Sequence, residues 1–223
     1  MITARVIGLP IGYLAGLFQT GVIVSRSRHA DLRHTGSGNT GMTNSIRVMG
    51  WKAGILVVIG DVAKTLAAII VVWLIYRHTF PEAVKLLMLY AGLGAVLGHN
   101  FPFYLKFKGG KGIACTVGVV FGFQALMVPI CAIIFFTAVI PTGLMSLGSL
   151  AMSAAFFVQT VVFGQVGLLP IAARYLPETY VVAAIITGLA YLQHRENIVR
   201  LAHGEERKFA PGANKKKENN DGN

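Results

Sequence analysis

Residues 98–112 read GHNFPFYLKFKGGKG, a polar, basic and glycine-rich stretch between two long apolar runs. Two other stretches have the same character: GSGNTGMTNSIR at residues 36–47 and HRENIVRLAHGE at residues 194–205. Much of the remaining chain is apolar, in runs long enough to form membrane-spanning helices. We therefore interpret the chain as a helical bundle that holds three polar loops beside one another.

The composition is typical of a membrane protein. Of the 223 residues, 54% are hydrophobic and 13% are charged, whereas soluble domains carry about 25% charged residues. The net charge is +11, but the basic residues flank apolar runs instead of forming a nucleic-acid-binding stripe. This placement favours membrane lipid and anionic substrates as partners over nucleic acid. Cys115 and Cys131 lie among apolar residues, so we predict reduced packing residues and no metal site.

The apolar runs predict an all-α, polytopic integral membrane protein with seven transmembrane helices. One run, Ile113–Ile140, would extend about 42 Å as a single helix, more than a hydrocarbon core of about 30 Å, so we expect it to divide near Pro129. An alternative count of five leaves this run whole and treats Gly164–Glu178 as a re-entrant or surface segment. The other predicted spans are Val6–Val24, Ala53–Tyr76, Ala83–Leu97, Met145–Phe163 and Thr179–Leu192.

The distribution of Lys and Arg predicts the orientation in the membrane. Segments 25–52, 98–112 and 194–223 hold 5, 3 and 7 of the 20 basic residues. Positive residues remain on the cytoplasmic side, so we expect the N-terminus outside and the three loops and the C-terminus in the cytoplasm. Residues 1–209 are predicted to form one transmembrane domain, and residues 210–223, rich in Gly, Asn and Lys, to form a disordered tail.

The sequence KGGKG at residues 108–112 precedes an apolar, helix-forming run and is typical of an anion-binding site. Glycines let backbone N–H groups approach an anion closely, and the N-terminus of a helix adds donors. Lys111 supplies a positive charge. The stretch is not a nucleotide-binding P-loop, because Gly112 stands where Ser or Thr is required. The alternative is a flexible turn with ordinary cytoplasmic lysines.

The stretch at residues 36–47 offers a second anion site. If a helix begins near Thr43, then Thr43 and Arg47 share a face. Arg47 can then bind phosphate oxygens bidentately, and Ser37 and backbone amides can complete the site. The alternative is a polar linker.

In the third stretch, His194 and Asn197 are three residues apart and point the same way on a helix. A histidine can act as a general base or a donor near neutral pH, and the alternative is an interfacial histidine without a catalytic role. Arg200 and Glu205 are interpreted as a local ion pair. His99, at the end of the third span, can orient a substrate or cap the helix.

Asp61 and Lys64 lie one turn apart inside the second span. Unpaired charges are costly in a membrane, so we expect these two to pair with each other. The sequence contains no Ser-His-Asp arrangement and no His-x-x-x-x-Asp acyltransferase signature. Catalysis would therefore depend on binding and positioning phosphates, and two anion sites imply a reaction between two phosphate-bearing molecules.

Together, the three stretches resemble the motifs of the bacterial membrane acyl-phosphate:glycerol-3-phosphate acyltransferases (the PlsY family), in the same order and at similar spacing up to about Arg207. The sequence departs from the family at Met42, which replaces a small residue. It departs again before Ser146, where Pro141-Thr-Gly replaces a basic-aromatic pair. The resemblance implies transfer of a fatty acyl group from acyl phosphate to the 1-hydroxyl of glycerol 3-phosphate. The products would be lysophosphatidic acid and inorganic phosphate, in the first step of phospholipid synthesis.

The resemblance further implies a bacterial inner-membrane enzyme without a cofactor, with its active site on the cytoplasmic side. Its implied catalytic residues are His194, Asn197, Ser37 and Lys111. The residues implied to bind the substrates and their phosphates are Ser37, Asn39, Thr43, Asn44, Arg47, His99, Lys108, Gly109, Gly110, Lys111, Gly112 and Ser146.

Some questions stay open at this point. Because no side chain is an obvious strong base, the proton of the hydroxyl is expected to pass to a substrate phosphate. The sequence does not assign either loop to a particular phosphate, nor does it fix the acyl chain length, the protein partners or the oligomeric state, although a monomer is compatible with it. A transporter of a phosphorylated small molecule is the main alternative, and such a protein should show inverted repeats. A non-catalytic lipid-binding scaffold is a third possibility.

Overall fold

The computed structural model describes residues 1–209, which form helices and connecting loops without a strand. The predicted tail, residues 210–223, lies outside the described residues. Two short 3₁₀ turns lie at Phe103–Leu105 and Ala173–Tyr175. The helices are α1 Ile2–Gly16, α2 Thr20–Ser27, α3 Met42–Met49, α4 Trp51–Tyr76, α5 Val84–Asn100, α6 Ile113–Phe123, α7 Met127–Thr142, α8 Met145–Gln165, α9 Leu176–Gln193 and α10 Arg195–Ala202.

Five helical segments of the described chain are long and apolar enough to cross a membrane. The helices α6 and α7 are apolar but shorter. The all-helical prediction is confirmed, and the apolar runs identified in the sequence are helical apart from breaks within Val6–Val24 and Ile113–Ile140. The five segments are Ile2–Ser27, Trp51–Tyr76, Val84–Leu105, Met145–Gln165 and Ala173–Gln193.

The predicted division of Ile113–Ile140 occurs, but earlier in the chain than Pro129. The helix α6 ends at Phe123, and α7 begins at Met127. Pro129 therefore lies in the first turn of α7, where a backbone N–H would have no partner within the helix and proline is tolerated. The break is fixed by Lys85, whose Nζ donates to the Phe123 carbonyl oxygen at 2.6 Å. That carbonyl is one that the last turn of a helix leaves without a helical partner.

The helices α1 and α5 pack against each other through glycine. A Cβ added at Gly12 would overlap the carbonyl oxygen of Ala91, and one at Gly94 would overlap that of Leu9. Gly16 and Gly98 make an equally close approach one turn further along. Small residues at four-residue spacing let membrane helices pack backbone to backbone, and α5 thereby becomes the central helix, in contact with α1, α4, α6 and α9.

The first predicted span is divided, because α1 ends at Gly16 and α2 begins at Thr20. The backbone of this break is satisfied by side chains from two directions, as the interior of a membrane requires. Gln19 Nε2 donates to the carbonyl oxygens of Gly16 at 3.2 Å and of His99 at 3.0 Å. Lys64 Nζ donates to the carbonyl oxygen of Phe18 at 2.6 Å. The break thus brings α2 and the following loop against α4.

Candidate active site

A cavity of about 1060 Å³ is lined by residues of all three polar loops. Its other walls are apolar and come from α6, α7 and α8, with Val117, Val128, Phe135 and Met152 among the lining residues. The cavity is therefore amphiphilic: charged at the loops and apolar between the helices.

The loop at residues 36–47 presents its polar side chains to the cavity. The helix α3 begins at Met42, so Thr43 and Arg47 lie on one face as predicted, and both line the cavity together with Ser37 and Asn39. Within residues 1–209, Arg47 forms no ion pair with an acidic side chain. Its positive charge is available to an anion.

Asn44 lines the cavity, but its amide is occupied in holding the loop. Its Nδ2 donates to the carbonyl oxygens of Leu32, Thr35 and Asn39 at 2.9–3.0 Å. Its Oδ1 accepts from the backbone N–H of Ser37 at 2.9 Å. The predicted phosphate ligand Asn44 is thus a buried scaffold residue in this structure, because the loop itself uses its donors.

The second loop contributes Lys111 and Gly112 to the cavity. Gly112 has φ +80 and immediately precedes α6, a conformation that favours glycine. Burial lowers the pKa of Lys111, and the nearby carboxylate of Glu206 partly offsets this effect. Lys111 Nζ also donates to Oδ1 of Asn197. The second and third loops are therefore linked directly.

Three predicted phosphate-binding residues of this loop have other surroundings. The N–H of Gly109 donates to the carbonyl oxygen of Asn100 at 3.0 Å, and that of Gly110 to His99 at 3.1 Å. A Cβ at Gly110 would overlap the His99 ring. These glycines hold the loop against the end of α5, and their amides are not directed at an anion. Lys108 is exposed and lies outside the cavity lining.

His194 lies between α9 and α10 and is 3% exposed. Its Nδ1 is 2.7 Å from the carbonyl oxygen of Ala190. A carbonyl oxygen only accepts, so Nδ1 carries the ring proton and Nε2 is left as an acceptor. Burial and then the charge of Lys111 lower the pKa of His194 to about 4. The ring is therefore neutral at neutral pH.

Glu206 also lines the cavity, although the sequence analysis did not identify it as a site residue. It accepts hydrogen bonds from Ser146 Oγ at 3.0 Å, Asn197 Nδ2 at 2.6 Å and Arg200 Nε at 2.8 Å. Burial alone would raise the pKa of this carboxyl, but the three hydrogen bonds outweigh it and the pKa is lowered. The predicted partner of Arg200, Glu205, is exposed, so the predicted ion pair is wrong by one residue. The available signal was a second acid after Gly204 in a basic segment.

His99 and Asp61 complete the lining where the cavity meets α4 and α5. The predicted pair of Asp61 and Lys64 is present, at 2.8 Å. His99 Nδ1 lies 2.9 Å from Lys64 Nζ. Asp61, His99 and Cys115 have potential ligand atoms within 4.8 Å of one another, but the ammonium of Lys64 already lies between the carboxylate and the imidazole.

Comparison with known proteins matches this arrangement to one family. The family model for glycerol-3-phosphate acyltransferase matches residues 6–204. The chain belongs to this family. The glycerol-3-phosphate acyltransferase of Macrococcus caseolyticus is 37% identical over 204 residues, which cover 90% of this chain and 95% of that protein. Glycerol-3-phosphate acyltransferase 2 of Lactobacillus johnsonii is 39% identical over 198 residues, covering 88% and 84%.

Solved structures of the acyltransferase family have the same fold. The crystal structure of PlsY (YgiH), an integral membrane glycerol 3-phosphate acyltransferase, in its glycerol 3-phosphate form has a TM-score of 0.79 at 30% identity. The aligned region covers 92% of the present chain and 96% of the PlsY chain. The lysophosphatidic acid form of the same protein has a TM-score of 0.75, also at 30% identity, and covers 93% and 96%. Within this acyltransferase family, our chain is therefore a multi-pass integral membrane protein.

Proposed function

We propose that the protein transfers a fatty acyl group from acyl phosphate to the 1-hydroxyl of glycerol 3-phosphate, giving lysophosphatidic acid and inorganic phosphate. The observation that carries this proposal is the amphiphilic cavity. Its loop end suits two small phosphate groups, and its helical end suits an acyl chain. Family membership supports glycerol 3-phosphate as the acceptor. The acyl-phosphate donor is what the resemblance of the three motifs implies, and the positive charge of the loop end is compatible with it.

The loop end provides the phosphate-binding groups. Arg47 and Lys111 line it from two different loops, so one cation is available for each substrate phosphate. We assign Ser37, Asn39 and Thr43 to the same end as neutral hydrogen-bonding groups. Hydrogen bonds from Arg47 and Lys111 to a phosphate are charge-assisted and about twice as strong as neutral ones. They also stabilise the charge that develops on the departing phosphate.

The apolar end provides room for the acyl chain. One stripe of α7, from Val128 to Ile140, lines the cavity and extends about 18 Å at the rise of an α-helix. Val120 and Phe121 of α6 and Met152 of α8 form the opposing walls. The carbonyl carbon of a bound acyl phosphate would then lie where the apolar stripe meets the charged loops.

In the proposed reaction, the 1-hydroxyl oxygen attacks the acyl carbonyl, an ester bond forms and the bond between the acyl carbon and the phosphate oxygen breaks. His194 Nε2 accepts the hydrogen bond of the hydroxyl and orients it, together with Asn197. A phosphate has a second pKa of about 6 and is more basic than an imidazole with a pKa of about 4. The proton therefore passes to a substrate phosphate. Positioning two bound reactants can supply about 7–11 kcal/mol.

The experiment is acyl transfer by purified protein in detergent or lipid, with glycerol 3-phosphate and either palmitoyl phosphate or palmitoyl-CoA. Lysophosphatidic acid and free phosphate are followed. We expect turnover with palmitoyl phosphate only. Turnover with the thioester only would contradict the proposed donor, and folded protein inactive with both would favour transport of a phosphorylated molecule.

For the topology we infer seven passes, with the N-terminus outside, the C-terminus in the cytoplasm and the site on the cytoplasmic side of a bacterial inner membrane. Support comes from the ends of the helices. Ser37, Lys111, Ser146 and His194 follow successive odd-numbered passes in this count and all line one cavity. At the other end, Gln124 Nε2 donates to the Leu168 carbonyl oxygen at 2.7 Å.

Single cysteines test this topology in a variant in which Cys115 and Cys131 are replaced by Ala. We expect a membrane-impermeant maleimide to label His78→Cys and Ala125→Cys from outside the cell, and His203→Cys only after permeabilisation. Lack of outside labelling at Ala125→Cys would favour five passes with a re-entrant α6–α7 pair. Outside labelling of His203→Cys would contradict the orientation.

A further inference from the structure

Two buried charged side chains lie in the middle of the membrane-spanning helix α4. Asp61 is 1% exposed and Lys64 is 8% exposed. Ionisable residues within a membrane are costly and usually serve a function. Their mutual contact at 2.8 Å reduces that cost, but an apolar pair would avoid it altogether. The reason for their presence has to be sought in what they contact.

The Lys64 ammonium lies among four acceptors, and the most distant is the Gly16 carbonyl oxygen at 3.3 Å. Its Nζ lies 2.8 Å from Asp61 Oδ1, 2.6 Å from the Phe18 carbonyl oxygen and 2.9 Å from His99 Nδ1. Thr20 Oγ1 donates to the same oxygen of Asp61 at 3.0 Å. The Phe18 carbonyl is available because the chain is non-helical between α1 and α2. These contacts fix the position of the Lys64 ammonium.

This contact determines the tautomer of His99. An ammonium group is a donor only, so Nδ1 of His99 accepts and Nε2 carries the ring proton. The Nε2 edge of the ring lies against Gly110, where a Cβ would overlap it, and His99 lines the cavity beside Lys111. His194 has the opposite tautomer, because its Nδ1 donates to Ala190. The cavity thus has one imidazole donor and one imidazole acceptor.

We propose that Asp61 and Lys64 are positioning residues, which hold His99 as an Nε2–H donor to a substrate oxygen bound beside Lys111 and Gly112. This inference rests on the proposed acyl transfer for its substrate. Lys64 acts through His99 and does not touch the substrate. Asp61 holds the Lys64 side chain in place. His99 is a donor for the phosphate or the acyl carbonyl oxygen, in addition to Arg47 and Lys111.

The first test is the ¹⁵N NMR spectrum of histidine-labelled wild-type protein in detergent, with His99→Gln and His194→Gln used for assignment. The shift of each ring nitrogen shows whether it carries a proton. We expect a proton on Nε2 of His99 and on Nδ1 of His194. A proton on Nδ1 of His99 would overturn the proposal. This readout does not depend on acyl transfer, so it is separate from a failure of the proposed function.

The second test compares variants by kcat and KM. In His99→Gln the amide nitrogen replaces Nε2–H and activity is retained, whereas His99→Asn places its amide at the Nδ1 position and loses kcat by about 100-fold. Lys64→Met lowers kcat by about 10- to 100-fold, in line with the loss of a group that fixes an imidazole tautomer. It also mixes the His99 tautomers and leaves His194 unchanged.

Lys85→Met is the matched control, because Lys85 is a half-buried lysine that donates to backbone carbonyls at the end of α6 and does not line the cavity. In Lys85→Met the His99 tautomer should be that of the wild type, and kcat should fall less than in Lys64→Met. Unchanged kcat and an unchanged His99 tautomer in Lys64→Met would overturn the proposal, as would equal activities of His99→Gln and His99→Asn. If Lys64→Met does not fold, the ¹⁵N NMR spectrum of the wild type and the comparison of His99→Gln with His99→Asn still test the proposal.

Discussion

Glu206 shows how one side chain can organise a site without being part of a recognised motif. Its carboxylate accepts from Ser146, Asn197 and Arg200, and Asn197 in turn accepts from Lys111. Four residues from three parts of the chain are thereby connected to it. Neither spacing nor residue type distinguishes Glu206 from its exposed neighbour Glu205, so only the folded chain shows which acid points inward.

Replacing Glu206 by Gln should weaken this network. Buried donors lose a charged acceptor, so we expect the free energy of unfolding in detergent to fall by about 1–3 kcal/mol, and kcat to fall as well. The folded-state pKa is lowered, so the wild-type advantage is complete above the ordinary value of 4.5 and disappears as the pH falls through the lower folded value. Thermal unfolding as a function of pH measures this.

Glu205→Gln is the control for that substitution, because Glu205 is exposed. Its unfolding temperature should match that of the wild type at every pH. An equal loss of stability in both variants would contradict the assignment of the Glu206→Gln effect to the hydrogen bonds of Glu206.

His194 should not titrate in the neutral range. Because its pKa is lowered to about 4, the neutral form is present at about pH 5 to 8, and kcat loses the contribution of His194 only as the pH falls through about 4. The measurement is kcat as a function of pH for the wild type and for His194→Gln. An ionisation near pH 6.5 that is present in the wild type and absent from the variant would contradict this expectation.

At the scale of the helices, hydropathy predicts where elements lie better than where they end. The five segments long enough to cross a membrane all overlap apolar runs identified in the sequence, because burial in lipid requires about 20 apolar residues. The sequence alone misses the break between α1 and α2, and it places the α6–α7 division too late. At each break a lysine from another helix donates to a carbonyl oxygen that has no helical partner. Lys64 donates to Phe18 between α1 and α2, and Lys85 donates to Phe123 at the end of α6. Tertiary contacts of this kind leave no local pattern.

The close approach of α1 and α5 predicts a sharp difference between two glycines. Gly12→Ala would place a methyl group against the Ala91 carbonyl, so we expect overpacking to reduce the free energy of unfolding by about 1–3 kcal/mol. Gly188→Ala in α9 has open space around the new Cβ and should be neutral or stabilising. Thermal unfolding of the two variants in the same detergent compares them, and equal unfolding temperatures would contradict the packing argument.

At the scale of the whole molecule, the sequence predicts which loops meet but not what each motif residue does. Arg47, Lys111 and His194 are brought to one cavity, as the positions of the loops imply. Asn44 and Gly110 carry the same motif signature but hold the loops instead. The reason is that a sequence does not distinguish a glycine whose amide is free to bind an anion from a glycine that permits close packing.

The amphiphilic cavity predicts that acyl chain preference can be changed from α7. Cys131 lines the cavity, and Cys131→Phe should displace the end of a long chain at a cost of about 0.8 kcal/mol for each methylene. The ratio of kcat/KM for palmitoyl phosphate to that for octanoyl phosphate should fall by about tenfold or more. Ile133→Phe, on the outer face of the same helix at an exposed position, is the control. A similar fall in both variants would contradict a chain-binding role for this wall.

The position of Glu206 in the chain also has a consequence for biosynthesis. The loop that carries Arg47 leaves the ribosome early and can fold against α4 while most of the polypeptide is still unsynthesised. The carboxylate that holds Ser146, Asn197 and Arg200 is among the last described groups to emerge. A nascent chain therefore holds the Arg47 loop against α4 before Glu206 has been made, and the carboxylate network can form only after residue 206 has emerged.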